Sequence, residues 1–201
     1  MHKSVLQQTE EYVSSILMTK TPSSRTYHNF EHTKNVLNSA IEIGIGENLN
    51  PDEMELIQIA AWFHDVGYID RTEGHEEISA MFASQFLNDL HFPNDKTDIV
   101  IGCVLATKVP QSPKTKLEMI ICDADLNHIG REVFFEQNEL YRSELENTIK
   151  RKLSENEWLV KTIDFLNRHQ FFTDYAIKNF SLNKEAVVKK LQAQLENLNT
   201  K

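Results

Sequence analysis

Three short stretches of this chain hold side chains able to bind a metal or move a proton. In the first, Ala60-Ala61-Trp62-Phe63 runs directly into His64-Asp65, and Gly67 follows as a helix stop. Neighbours on a helix point about 100° apart and rarely share a partner, but at a helix end both side chains can reach one ion beyond the terminus. Taken alone, the pair reads as a capping Asp beside a partly buried His. Upstream, His28 and His32 in Tyr27-His28-Asn29-Phe30-Glu31-His32 share a face if their helix starts early enough. Downstream, Asp123 and Asp125 interrupt the run Ile120-Ile121-Cys122-Asp123-Ala124-Asp125-Leu126. Carboxylates in such an apolar helix are costly unless paired or metal-bound.

The elements that must position these groups all carry helical periodicity. Leu6, Tyr12, Val13, Ile16 and Leu17 predict a first helix that ends before Thr21-Pro22-Ser23-Ser24. A second begins near Asn29, runs through Ile43 and is broken by Gly44 and Gly46. Pro51-Asp52-Glu53 opens a third, which delivers His64-Asp65. After a polar connection over Val66 to Gly74, helices follow from His75 to about Leu90, Ile99 to Thr107 and Leu117 to Ile129. Beyond Gly130 come a helix with Val133 to Tyr141, one with Trp158 to Leu166, and a last one from about Leu182 to Leu198. No period-2 stretch is found, so the predicted fold is all-α. The expected organisation is one domain: an N-terminal helix and loop over residues 1–24, a core over 25–130, and appended C-terminal helices over 131–201.

Composition excludes several classes. The net charge of -9 over 201 residues argues against a nucleic-acid polymer as partner. The apolar run from Ile99 to Ala106 is too short to span a bilayer, and the N-terminus lacks a secretory core. Cys103 and Cys122 lie in apolar runs and read as small core residues of a reducing, cytoplasmic compartment. No membrane partner is expected.

The order His32, then His64-Asp65, then Asp125 resembles the HD-domain superfamily of metal-dependent phosphohydrolases. Tyr27-His28-Asn29-x-x-His32 is similar to the opening motif of several HD families, among them the cyclic-nucleotide phosphodiesterases. His75-Glu76-x-x-Ser79-Ala80, Ala106-Thr107-Lys108 and Asp123-Ala124-Asp125-Leu126 resemble motifs of small bacterial HD hydrolases. The resemblance spans about Arg25 to Gly130. It implies a single HD-type helical domain and His32, His64, Asp65 and Asp125 as metal ligands, with Asp125 preferred because the family's last ligand sits in an Ala-Asp dipeptide. Asp123 is then expected to orient a ligand histidine. Two imidazoles and two carboxylates suit one divalent ion, whether Mn, Fe, Ni, Co, Zn or Mg.

From the ion follows an expected mechanism: attack of a metal-activated water on phosphorus, with His28 as the general acid for the leaving oxygen. Arg25 and Lys108 are candidates to neutralise phosphate charge, with Thr107 beside Lys108 as a further substrate contact. Two-metal HD proteins carry a His where His75 stands and another on the next helix. Here that helix reads Ile101 to Lys108 without a His. One ion is therefore expected, with His75 beside the substrate. The Glu-Asp that follows the HD pair in alarmone hydrolases is absent, and Tyr68 occupies the Glu position of some nucleotidase relatives. His2, His91, His128 and His169 belong to no motif and are read as structural or surface residues.

The expected function is hydrolysis of a phosphoester or phosphoanhydride in a small phosphorylated compound, a nucleotide foremost. The rival reading is a metal-containing, nucleotide-binding regulatory module without significant turnover. An oxygenase on the same scaffold is disfavoured by the missing His. The terminal helix is expected to pack on the domain, with homodimerisation through it as the second reading.

Overall fold

The computed structural model describes residues 3–200; His2 lies outside the described residues. Among the described residues the chain forms nine α-helices and two 3-10 turns, with no strand. The helices are α1 (Val5–Lys20), α2 (Phe30–Gly46), α3 (Pro51–Phe63), α4 (His75–Asp89), α5 (Asn94–Ala106), α6 (Lys116–Asp125), α7 (Phe134–Ile149), α8 (Glu155–Arg168) and α9 (Asp174–Asn199). The 3-10 turns, Val66–Ile69 and Asn127–Gly130, directly follow the two stretches that hold Asp65 and Asp125.

Helix α3 is the axis of the fold because its last five residues, Ile59 to Phe63, are apolar on every side. Ile57, Ile59, Ala60, Ala61 and Phe63 are fully buried, as expected of a helix surrounded by others. It packs against α1, α2, α5 and α6. Its start is fixed by Asn50, whose side chain accepts from the Glu53 N–H while the Glu53 carboxylate accepts from the Asn50 N–H, with Pro51 at the first turn. Its end at Phe63 leaves His64 and Asp65 at the terminus, where their side chains are free of the helical register.

Several predicted boundaries move, each for a physical reason. Helix α2 continues through Gly44 to Gly46 instead of breaking. A Cβ at Gly44 would press on the side chains of Met54 and Leu49, so this glycine permits close packing. The segment after Asp65 is not a polar connection: Val66, Gly67 and Tyr68 are buried in the 3-10 turn. Gly67 is not a simple stop either. Its N–H donates to Ser79 Oγ at 2.9 Å, and a Cβ there would collide with the His75 carbonyl oxygen. That contact draws the start of α4 against the end of α3. Helix α6 stops at Asp125, and α9 begins well before Leu182, capped by Thr173.

Asp123 corrects the expectation that it orients a metal-ligand histidine. Residues two apart on a helix face nearly opposite ways, so with Asp125 turned to one side Asp123 points into the C-terminal helices. Its carboxylate accepts from the Phe172 N–H (2.9 Å), the Thr173 N–H (2.8 Å) and the Thr173 hydroxyl (2.7 Å). It thereby ties α6 to the start of α9. Asp123→Ala should destabilise the protein by about 3 kcal/mol, since charge-assisted bonds are lost and buried donors left unpaired. Denaturant unfolding measures this loss, and metal binding by the folded fraction should be unchanged.

His169, just beyond α8, has both ring nitrogens buried without partners among the described residues and stands edge-on to Phe171. Burial pushes its pKa down to about 3. The unfolded chain takes up that proton below about pH 6.5 while the folded chain stays neutral, so stability should fall as pH drops from about 6.5 towards 3. His169→Phe should flatten this dependence when urea midpoints are compared between pH 7 and pH 4.5.

Among the described residues no helix is long and apolar enough to cross a membrane.

Candidate metal centre and active-site cavity

Asn29 sets the register of the first ligand. Its side-chain oxygen accepts from the Glu31 and His32 N–H groups, so α2 starts at Phe30 and His32 sits in its first turn. His28 therefore precedes the helix instead of lying one turn up the same face. The loop nevertheless brings the two rings to a centroid distance of 5.6 Å.

His32, His64, Asp65 and Asp125 converge, each offering one ligand atom, with all four atoms within 4.8 Å of one another. His32 Nε2 lies 3.3 Å from Asp65 Oδ2 and 3.3 Å from Asp125 Oδ1, and His64 Nε2 lies 3.2 Å from Asp65 Oδ2. Metal–ligand bonds of about 2.1 Å place neighbouring ligand atoms about 3.0–3.4 Å apart, so these spacings are those of a coordination polyhedron. Two further observations fit a cation. Asp65 Oδ2 is buried yet has no hydrogen-bond partner among the described residues, so the imidazoles beside it aim past it. His64 donates from Nδ1 to the Ala61 carbonyl at 2.8 Å, which turns its Nε2 lone pair to the cluster. Burial alone would depress the His32 pKa, but Asp125 and Asp65 outweigh it and raise it to about 9. The cluster is built for positive charge.

A family model for the HD domain matches residues 29–164, which include all four of these side chains. The chain belongs to the HD-domain family. No curated protein sequence matches it significantly. Three solved structures share the HD-type fold at low identity. A Lactobacillus plantarum protein has a TM-score of 0.70 at 13% identity, covering 100% of this chain and 99% of that one. Bacillus subtilis YpgQ in complex with ADP gives 0.65 at 16%, covering 96% and 94%. A predicted HD superfamily hydrolase from an uncultured Thermotogales bacterium gives 0.61 at 19%, covering 98% and 99%.

Around this HD centre the structure sorts the remaining candidates. A cavity of about 390 Å³ opens from it, within the range usual for small-ligand sites. His28, His75 and Thr107 line it, together with Asp65 and Asp125. His75 Nε2 comes within 3.4 Å of Asp65 Oδ1, and its Nδ1 donates to the Thr72 carbonyl at 2.8 Å. Tyr68, read from the sequence only as a departure, is stacked between His28 and His75 with both centroid distances at 3.9 Å. Arg25 is occupied in fixing that ring: its guanidinium lies over Tyr68 and its Nε donates to the Tyr68 carbonyl.

Two expected substrate contacts are turned elsewhere. Lys108 is exposed and pairs with Glu77 at 2.5 Å on the outer face of α4, so the chain does not bring it into the cavity. The Thr107 hydroxyl donates back to the Val104 carbonyl at 2.8 Å, leaving mainly its body to the cavity wall. Lys161 and Arg168 line the cavity instead, on one face of α8.

Sequence reasoning missed Glu144. This buried carboxylate on α7 accepts from the Tyr27 N–H (2.8 Å) and the His28 N–H (3.0 Å), and lies 2.6 Å from His28 Nδ1. Burial would raise its pKa, but the contact with His28 prevails and holds it below the usual glutamate value. A charged residue within a helix that also carries Glu139 and Glu146 gives no pattern that separates it from solvated neighbours.

Proposed function

We propose that this HD-domain protein is a phosphohydrolase that holds one divalent metal at His32, His64, Asp65 and Asp125 and cleaves a small phosphorylated compound, a nucleotide foremost. The observation that carries this reading is the convergence of the four ligand atoms, with a buried carboxylate oxygen unpartnered among the described residues, beside a cavity that Asp65 and Asp125 line. The ADP bound by Bacillus subtilis YpgQ supports a nucleotide as ligand. A bound ion supplies a water of lowered pKa and polarises a phosphoryl oxygen. His28 gives a proton to the leaving oxygen from Nε2, because Nδ1 is engaged by Glu144. Glu144 holds the ring's orientation through Nδ1 and the His28 N–H. Tyr68 and His75 stack beside His28 and continue the same cavity wall.

The test is a panel of phosphomonoesters, phosphodiesters and nucleoside mono-, di- and triphosphates, assayed with Mn, Ni, Co and Mg. Metal-dependent turnover of at least one compound, abolished by chelation, is expected. Tight nucleotide binding with no hydrolysis of any compound would leave the regulatory module as the correct reading.

A further inference from the structure

We infer that Trp158 and Thr162, one turn apart on α8, form the specificity subsite of this cavity and recognise the polar edge of a planar heterocycle such as a nucleobase. The inference takes its reaction from the proposed phosphohydrolase function; the binding part rests on the cavity alone.

Both side chains line the same cavity as Asp65 and Asp125. They are 2% and 6% exposed, and neither the indole Nε1 nor the threonine Oγ1 has a hydrogen-bond partner among the described residues. Buried donors are almost always paired in folded proteins, so two orphans on one helical face of one cavity need a common explanation. A ligand with an acceptor for the indole N–H and a donor or acceptor for the hydroxyl supplies it. The wall around them is aromatic: Phe134, Tyr141 and Phe165 line the same cavity, and the Tyr141 and Trp158 rings are 6.1 Å apart. Such a wall favours a flat ring.

The indole is also held in place before any ligand arrives. Arg142 lies 5.8 Å from the Trp158 ring and is itself fixed by Glu155 (2.7 Å) and the Leu153 carbonyl (2.8 Å). Its orientation therefore costs little on binding. With the phosphate end at the HD centre and the ring end at α8, the cavity reads a phosphate ester by both of its ends.

The test compares AMP with ribose 5-phosphate, which differ by the base, on the metal-loaded protein. The readout is the ratio of kcat/KM values where the compounds turn over, and of Kd values where they do not. Wild-type protein should prefer AMP. Trp158→Phe and Thr162→Val each remove the polar atom, the second at nearly constant shape, and each should lower that preference roughly 3- to 10-fold, the effect of one hydrogen bond. The urea midpoint of Thr162→Val should stay equal or rise, because an unpaired buried hydroxyl has been removed at nearly constant shape. Loss of selectivity without any turnover would uphold the subsite while removing the hydrolase reading. Absence of a wild-type preference for AMP, or variants that keep it, would overturn the subsite. A lower urea midpoint for Thr162→Val with unchanged selectivity would do the same, by showing that the hydroxyl is satisfied in the free protein.

Discussion

Asp65→Asn should leave a folded protein that holds no metal and turns over substrate at least about 10³-fold more slowly. The size follows from the several kcal/mol that a metal contributes to phosphoryl chemistry. Asp65 is the residue through which the centre is assembled: its carboxylate lies within 3.2–3.4 Å of His64, His32 and His75. The amide keeps the shape but removes the charge that favours a cation among three imidazoles, and it turns an NH2 group towards one or more of them. Metal content measured by inductively coupled plasma spectrometry, together with the circular dichroism spectrum, separates loss of the ion from loss of the fold. A variant that retains one ion per chain and wild-type turnover would remove Asp65 from the ligand set.

The second large effect is expected at His28. General acids contribute about 10²–10⁴-fold, so His28→Ala should lower kcat by that factor while the metal stays bound. Glu144→Gln should lower kcat too, by no more than the about 10²–10⁴-fold of the acid it positions. The amide cannot accept from Nδ1 as the carboxylate 2.6 Å away does without turning, so the ring loses its fixed orientation. A purely structural role for Glu144 would lower stability and leave kcat of the folded variant unchanged. A leaving group that needs no proton, such as p-nitrophenolate, should lose much of the dependence on His28. If His28→Ala is without effect on every substrate while His32→Ala is inactive, the acid assignment fails.

What could be read from the sequence follows the range of the forces involved. Helix type and order were legible because α1, α3 and α8 carry their own apolar pattern and capping boxes, such as Asn50 with Glu53. The convergence of His32, His64, Asp65 and Asp125 was legible through family motif order, and the structure brings their ligand atoms together. The two roles of Asp123 and Asp125 were not separable by composition. They depend on which side of α6 meets α9, and the capping of α9 by Thr173 begins that helix eight residues ahead of its apolar stripe. Glu144 stayed hidden because its partner lies 116 positions away in a loop. Lys108 shows the reverse: a motif position suggested phosphate contact, but an exposed partner on α4, Glu77, draws the ammonium outwards. Trp158 reads as core in any hydropathy pattern, and what sets it apart is that its N–H has no partner among the described residues.

The most direct measurement is a metal titration of chelator-stripped protein, with substrate turnover and bound Mn followed together. Turnover should be absent in the stripped protein, rise with the first ion and level off at one ion per chain, since α5 offers no histidine for a second. Full turnover in the stripped protein, or turnover that appears only as a second ion binds, would contradict a single working ion at His32, His64, Asp65 and Asp125.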